Sequence, residues 1–123
     1  MKKHVARMLR DIRDRLSLSE CSMLHYALQL SIWEILTNLV DHSPVAAHLY
    51  PTHVTIMWTE EEITLLIANE GAAFDWQKHL AAAPPRPLNQ ERGRGLYIIK
   101  SISKFFTYKE DGRTAHIIFD RHS

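Results

Sequence analysis

The sequence predicts an α+β domain, and three observations carry that prediction. Apolar residues recur at helical spacing through the opening third of the chain. Two later stretches read as hairpins, and one short segment between them returns to helical spacing. About three helices against a mainly antiparallel mixed sheet of four or more strands are expected, in one domain over residues 1–123. A chain of this length removes roughly two thirds of its unfolded surface from water, so it needs no covalent staples.

The first helix rests on Val5, Met8, Leu9, Ile12 and Leu16, with Lys2, Lys3, Arg7, Arg10, Arg13 and Arg15 on its other face. That basic row reads as a solvated surface before it reads as a phosphate or acidic-partner site. Ser17 and Glu20 have capping-box spacing, which predicts a second helix from about Ser19 to Asp41, stopped by Ser43 and Pro44. Val54, Ile56 and Trp58 alternate with Thr55 and Met57, "TEEE" makes a polar turn, and "ITLLIA" returns as a mostly buried strand. After "NEGAAFDW" comes a Pro-, Gly- and Ala-rich stretch without periodicity, and a loop of that length inside a small domain is usually functional. Leu96, Ile99 and Ile102 then mark a third helix, preceded by Gly93 and Gly95. "FFTYKEDGRTAHIIFD" closes the chain as a second hairpin around Asp111 and Gly112.

Composition excludes several classes. Lys plus Arg number 15 against 14 for Asp plus Glu, too even for a broad nucleic-acid surface. Cys21 is the single cysteine, so no disulfide forms within the chain and a reducing, cytoplasmic setting is the expectation. No apolar run approaches the roughly 20 residues of a membrane span, and no signal peptide opens the sequence. The eight histidines are scattered, and His42, His48 and His53 lack the spacing and the Cys or acidic companions of a metal site. His4 has no acidic neighbour and no dimerisation helix after it, which argues against a phospho-accepting role.

The second helix is the anomaly. In "WEILTNLVDH" the polar residues Glu34, Asn38 and His42 stand four apart, so a helix stacks them on one face among Trp33, Ile35, Leu36, Leu39 and Val40. A carboxylate, an amide and an imidazole in line can bind a cation and move a proton. Downstream, "ANEGAAF" follows a strand and "GRGL" opens a helix, where backbone N–H groups and the positive end of the helix can face an anion.

Taken in this order, the three motifs resemble the GHKL superfamily of histidine-kinase-like ATPases, and within it the anti-sigma factors and serine-protein kinases of bacterial partner-switching systems. The likeness runs from about residue 5 to residue 120. It implies a two-layer α/β sandwich of the Bergerat type that binds ATP with Mg²⁺. It further implies that Glu34 acts as general base and that Asn38 gives its amide oxygen to Mg²⁺. His42 would cap the helix end or approach the phosphates. Gly93, Arg94, Gly95 and Leu96 would form the turn that holds the triphosphate, with Gln77 to Glu91 as a lid over the nucleotide. The implied partners are a STAS-type anti-sigma-factor antagonist, phosphorylated on Ser or Thr, and a sigma factor or equivalent output protein, with homodimerisation a further expectation and no nucleic acid or membrane involved. A degenerate relative that sequesters partners without phosphotransfer is the alternative.

Two departures from the family pattern stand out. Where the family has Asp-x-Gly-x-Gly to read adenine, this chain has Asn69, Glu70, Gly71, Ala72 and Ala73. A freely rotating Asn69 amide can accept from adenine or donate to guanine, so poor base discrimination is expected. The chain also begins at the first helix, without the strand that the family usually places before it. A domain excised from a longer protein or a minimal version are the two expectations.

Overall fold

The structure, a computed structural model, describes residues 2–18, 22–42, 51–70, 95–109 and 113–121. In chain order the elements are α1 (Lys2–Leu16), α2 (Met23–His42), β1 (Thr52–Trp58), β2 (Glu62–Asn69), α3 (Gly95–Ile102), β3 (Phe105–Lys109) and β4 (Thr114–Asp120). The predicted α+β class and both hairpins are present. The strands lie in the order β1-β2-β4-β3, and every described pairing is antiparallel, so no parallel component of the expected mixed sheet occurs among the described residues. α3 leads the chain toward β3, and β4 then fills the place between β2 and β3.

The register explains the two-layer build. Val54 pairs with Ile67, Ile56 with Leu65, and across the next seam Ile63 pairs with Phe119, Leu65 with Ile117 and Ile67 with Ala115. All of these fall on one sheet face, because side chains alternate with a period of two. That face shares a single core with Val5, Leu9, Ile12 and Leu16 of α1, Leu28, Ile32 and Ile35 of α2, and Leu96 and Ile99 of α3. Each buried aliphatic or aromatic side chain contributes about 1.5 to 3 kcal/mol of transfer free energy, so the layer contact dominates the stability of the fold.

The link between α1 and α2 differs from the capping box that the sequence predicts. Ser17 takes a left-handed backbone conformation with φ 55°. Its N–H donates to Asp14 O at 3.3 Å, and the Leu18 N–H donates to Arg13 O at 2.9 Å. This is the paired closure of a Schellman motif, in which the residue after the helix satisfies its last carbonyls. Ser17 therefore ends α1 and does not begin α2. The N-cap of α2 is Ser22, whose Oγ accepts from the His25 N–H at 3.0 Å, a contact that contributes roughly 1 kcal/mol.

At the β1–β2 turn, Thr59 Oγ1 accepts from the N–H groups of Glu61 and Glu62, each at 3.1 Å. Arg121 donates through Nη1 to Thr59 O at 2.7 Å and through its own N–H to Glu61 O at 2.9 Å. Lys104 pairs with Glu62, and that hydrogen bond and charge raise the Lys104 pKa. The turn end of the sheet is thus held by its own polar groups, and β2 finishes at the opposite end in Asn69.

Candidate functional site

α2 positions the first two residues of the site. From Leu30 to Asn38 none of its residues is exposed. Ser31, fully buried, satisfies its hydroxyl internally by donating to Ala27 O at 2.7 Å. Glu34 and Asn38, one turn apart, are half-buried. A carboxylate taken that far from water needs a compensating polar environment.

The start of α3 lies against this carboxylate. Gly95 is the first residue of α3 and is buried. A Cβ built on it would overlap Oε2, Cδ and Cγ of Glu34, so the carboxylate of Glu34 lies directly against the Gly95 Cα. Glycine is required here for space: any side chain would have to displace the glutamate. The contact also has an electrostatic logic. The first N–H groups of a helix have no intrahelical partners and carry partial positive charge, so an acidic group there is favoured by about 0.3 to 1 kcal/mol. The same helix start can receive a phosphate. Two motifs 61 residues apart in the sequence thus meet, a carboxylate against the first residue of a helix.

Asn69 ends β2 on the helix-facing side of the sheet, in line with Ile63, Leu65 and Ile67, and is 1% exposed. Its N–H donates to Arg113 O at 2.9 Å, and its Nδ2 donates to Thr52 Oγ1, also at 2.9 Å. The free rotation expected of this amide is therefore opposed by a hydrogen bond from its nitrogen. Thr52 lies outside the strand that sequence periodicity delimits. Extending the hairpin register two residues outward from Val54↔Ile67 would have placed it opposite Asn69, as the pairing Thr52↔Asn69 shows.

The remaining predicted residues divide. His42 is the last residue of α2. Leu96 is buried in the core with Ile99, so its side chain serves packing and only its backbone lies at the helix start. Gly71, Ala73, Gly93 and Arg94, and the Gln77 to Glu91 lid, lie outside the described residues.

The donor set suits a hard cation. Glu34 and Asn38 both present oxygen, and Mg²⁺ is commonly held by one or two protein oxygens with phosphates and water completing the shell. Among the described residues no group of three or more His, Cys, Asp or Glu could hold a metal alone, so such an ion would draw most of its ligands from the nucleotide. Elsewhere a groove of about 470 Å³ runs between α1 and β1, lined by Arg7, Asp11 and Arg15 against Val54, Ile56 and Trp58. It includes neither Glu34 nor Gly95, and its three charged groups are exposed. It is a seam between a helix and an edge strand. None of the described helices is long and apolar enough to cross a membrane.

A two-layer antiparallel sandwich in which α2 sets a glutamate against a glycine-opened helix start is consistent with the histidine-kinase-like ATPase class. The chain matches the family model for the histidine kinase-like ATPase domain over residues 2–119 and belongs to that family. It is 31% identical over 114 residues to the serine/threonine-protein kinase BtrW of Bordetella bronchiseptica, across 91% of this chain and 78% of that protein. ATP binding follows from the family.

Proposed function

We propose that this chain binds ATP with Mg²⁺, transfers the γ-phosphoryl group to a Ser or Thr hydroxyl of a STAS-type anti-sigma-factor antagonist in the cytosol, and sequesters a sigma factor or equivalent output protein. The observation that carries this reading is the contact between the Glu34 carboxylate and Gly95 at the start of α3. It sets a proton acceptor beside the place where a helix end can hold phosphate. The kinase name of the Bordetella relative supports the same reaction class.

In this scheme Glu34 accepts the proton of the attacking hydroxyl as its oxygen bonds to the γ-phosphorus, the bond to the β-phosphate oxygen breaks, and ADP departs. The Gly95 N–H and the start of α3 orient the phosphates. Asn38, one turn from Glu34, would hold Mg²⁺ through its amide oxygen, and the ion would neutralise charge on the phosphates. Asn69 would meet the base at the other edge of the site.

Calorimetric titration with ATP, with and without Mg²⁺, tests the reading on the parent and on Asn38→Ala. The parent should bind ATP more tightly with Mg²⁺. The variant should lose that dependence, with affinity down about tenfold or more, while unfolding at the same temperature. Equal Mg²⁺ dependence in both proteins would remove Asn38 as the ligand. Binding without any transfer to the antagonist would leave a sequestering module, the reading toward which the Asn69 and Ala73 departures lean.

A further inference from the structure

An antiparallel sheet with its helices on one face commonly turns a polar, solvated face the other way. This sheet does not. The described helices all join the core on the side of Ile63, Leu65 and Ile67, so the alternate side chains of each strand make up an outer face. Met57, Leu66, Ile118 and Phe105 lie on it, with Met57 50% and Phe105 45% exposed. The registers set Met57, Thr64, Ile118 and Phe105 in one row across the strands and Thr55, Leu66, His116 and Thr107 in the next. The Phe105 ring stands edge-on to His116 at 5.3 Å. Burial, and then the charge of Lys109, lowers the His116 pKa, so both rows are neutral at pH 7. Charge is confined to the ends of the face. Lys109 lies at one end, and Asp120 lies at the other beside Glu62, which carries Lys104.

We propose that this outer face packs on the same face of a second copy of the chain, as two sheets about 10 Å apart, about a two-fold axis that runs across the strands. The proposal is independent of the nucleotide-binding reading. Charge selects both the occupant and the axis. A two-fold axis across the strands lays each strand over its own counterpart in reverse, so Leu66 meets Thr64 of the copy, His116 meets Ile118, and the basic end meets the acidic end. Lys109 then comes within reach of Asp120 of the copy, one strand over. An axis along the strands would instead set Glu62 against Asp120 and His53 against Lys109, like against like, which disfavours pairing. The face is self-complementary in one arrangement, as a symmetric dimer requires. Four strands about 4.8 Å apart and about 20 Å long give roughly 400 Å² in projection, which corrugated side chains bring toward the roughly 800 Å² per partner of a standard interface. A contact of that size with modest charge pairing corresponds to a dissociation constant in the micromolar range.

Sedimentation velocity on the full chain, from about 1 to 200 μM, tests the proposal. The parent should pass from monomer to dimer across that range, and Leu66→Asp should weaken the dimer by about tenfold or more, since it sets a carboxylate against an apolar face. Leu66 is half-buried, so this change also burdens the fold, and the exposed charges give the independent reading. Lys109 and Asp120 stand at opposite ends of the face, about 20 Å apart within one chain, well beyond the screening length of about 8 Å at physiological salt. Energetic coupling between them therefore requires a second copy. Lys109→Glu and Asp120→Lys should each weaken the dimer about three- to tenfold, and the double variant should return to within about twofold of the parent, with the monomers unfolding near the parent temperature. A chain that stays monomeric, or a dimer that Leu66→Asp leaves unchanged, overturns the proposal. So does a double variant in which the two losses simply add. A monomeric chain that loses antagonist binding on Leu66→Asp would give this face to that partner and overturn the proposal as well.

Discussion

α1 and α2 pack against the same sheet, yet they treat polar residues in opposite ways. α1 separates them cleanly, with Val5, Leu9, Ile12 and Leu16 buried and Arg7, Arg10, Asp11, Asp14 and Arg15 exposed. α2 does not separate them: Glu34 and Asn38 are half-buried in a stretch with no exposed residue. A solvated polar face costs nothing to keep and calls for no special explanation. Polar groups held away from water cost free energy unless something meets them, and the Glu34 carboxylate is met by the start of α3. On the proposed function, the difference teaches that chemistry in this fold sits where a helix breaks its own amphipathic pattern, with the regular helix as scaffold despite its row of arginines.

Substitutions on the two helices should therefore separate activity from stability. The largest effect belongs to Glu34→Gln, which keeps the shape and removes the proton acceptor. Phosphoryl transfer should fall by about 10²- to 10⁴-fold with ATP affinity and unfolding temperature near those of the parent, as read by single-turnover assays beside thermal melts. Unchanged transfer would erase the distinction between the helices. On α1 the reverse is expected. Leu9→Ala should reduce stability by about 2 to 5 kcal/mol in denaturant titrations, and the ATP dissociation constant, measured where the protein is still folded, should stay put. A large loss of affinity there would show that α1 belongs to the site.

The contact between the two motifs can be strained by a single methyl group. Gly95→Ala forces Glu34 aside, at an overpacking cost of about 1 to 3 kcal/mol, and should weaken ATP binding with it. Combining it with Glu34→Ala opens the space, so the double variant should regain most of the stability lost by Gly95→Ala and none of the transfer activity. Full additivity of the two changes would mean that the residues do not touch. The smallest effect lies at the far end of α1. Ser17 holds φ 55°, a conformation in which glycine has no Cβ penalty, so Ser17→Gly should raise stability by about 0.5 to 1 kcal/mol. Activity should not change.

Much of this was legible in the sequence because it is written in local periodicity. The apolar rows of α1, the alternation of β1 and the spacing of Glu34 and Asn38 all repeat within a few residues, and backbone geometry turns such repeats into faces. The misreadings also have local causes. Ser17 and Glu20 satisfy the capping-box spacing, but Ser17 is already committed to closing α1 through Asp14 and Arg13, and Ser22 takes the N-cap. Leu96 stands inside a motif read as ligand-binding, and only its burial beside Ile99 shows that its side chain belongs to the core. Thr52 carries no local signal, since its contact is with the residue opposite.

By itself the sequence determined the kinds of element, the face each one buries, and the family, because these depend on short-range pattern and on motifs in fixed order. Tertiary structure alone decided which polar groups meet. The carboxylate of Glu34 lies on Gly95 only after α2 and α3 pack on one sheet face. The Asn69 amide meets the Thr52 hydroxyl only when β1 and β2 pair in one register. Contacts between residues 17 and 61 positions apart are fixed by burial and by strand register. Shifting that register by a single residue would turn every side chain of β1 to the other face.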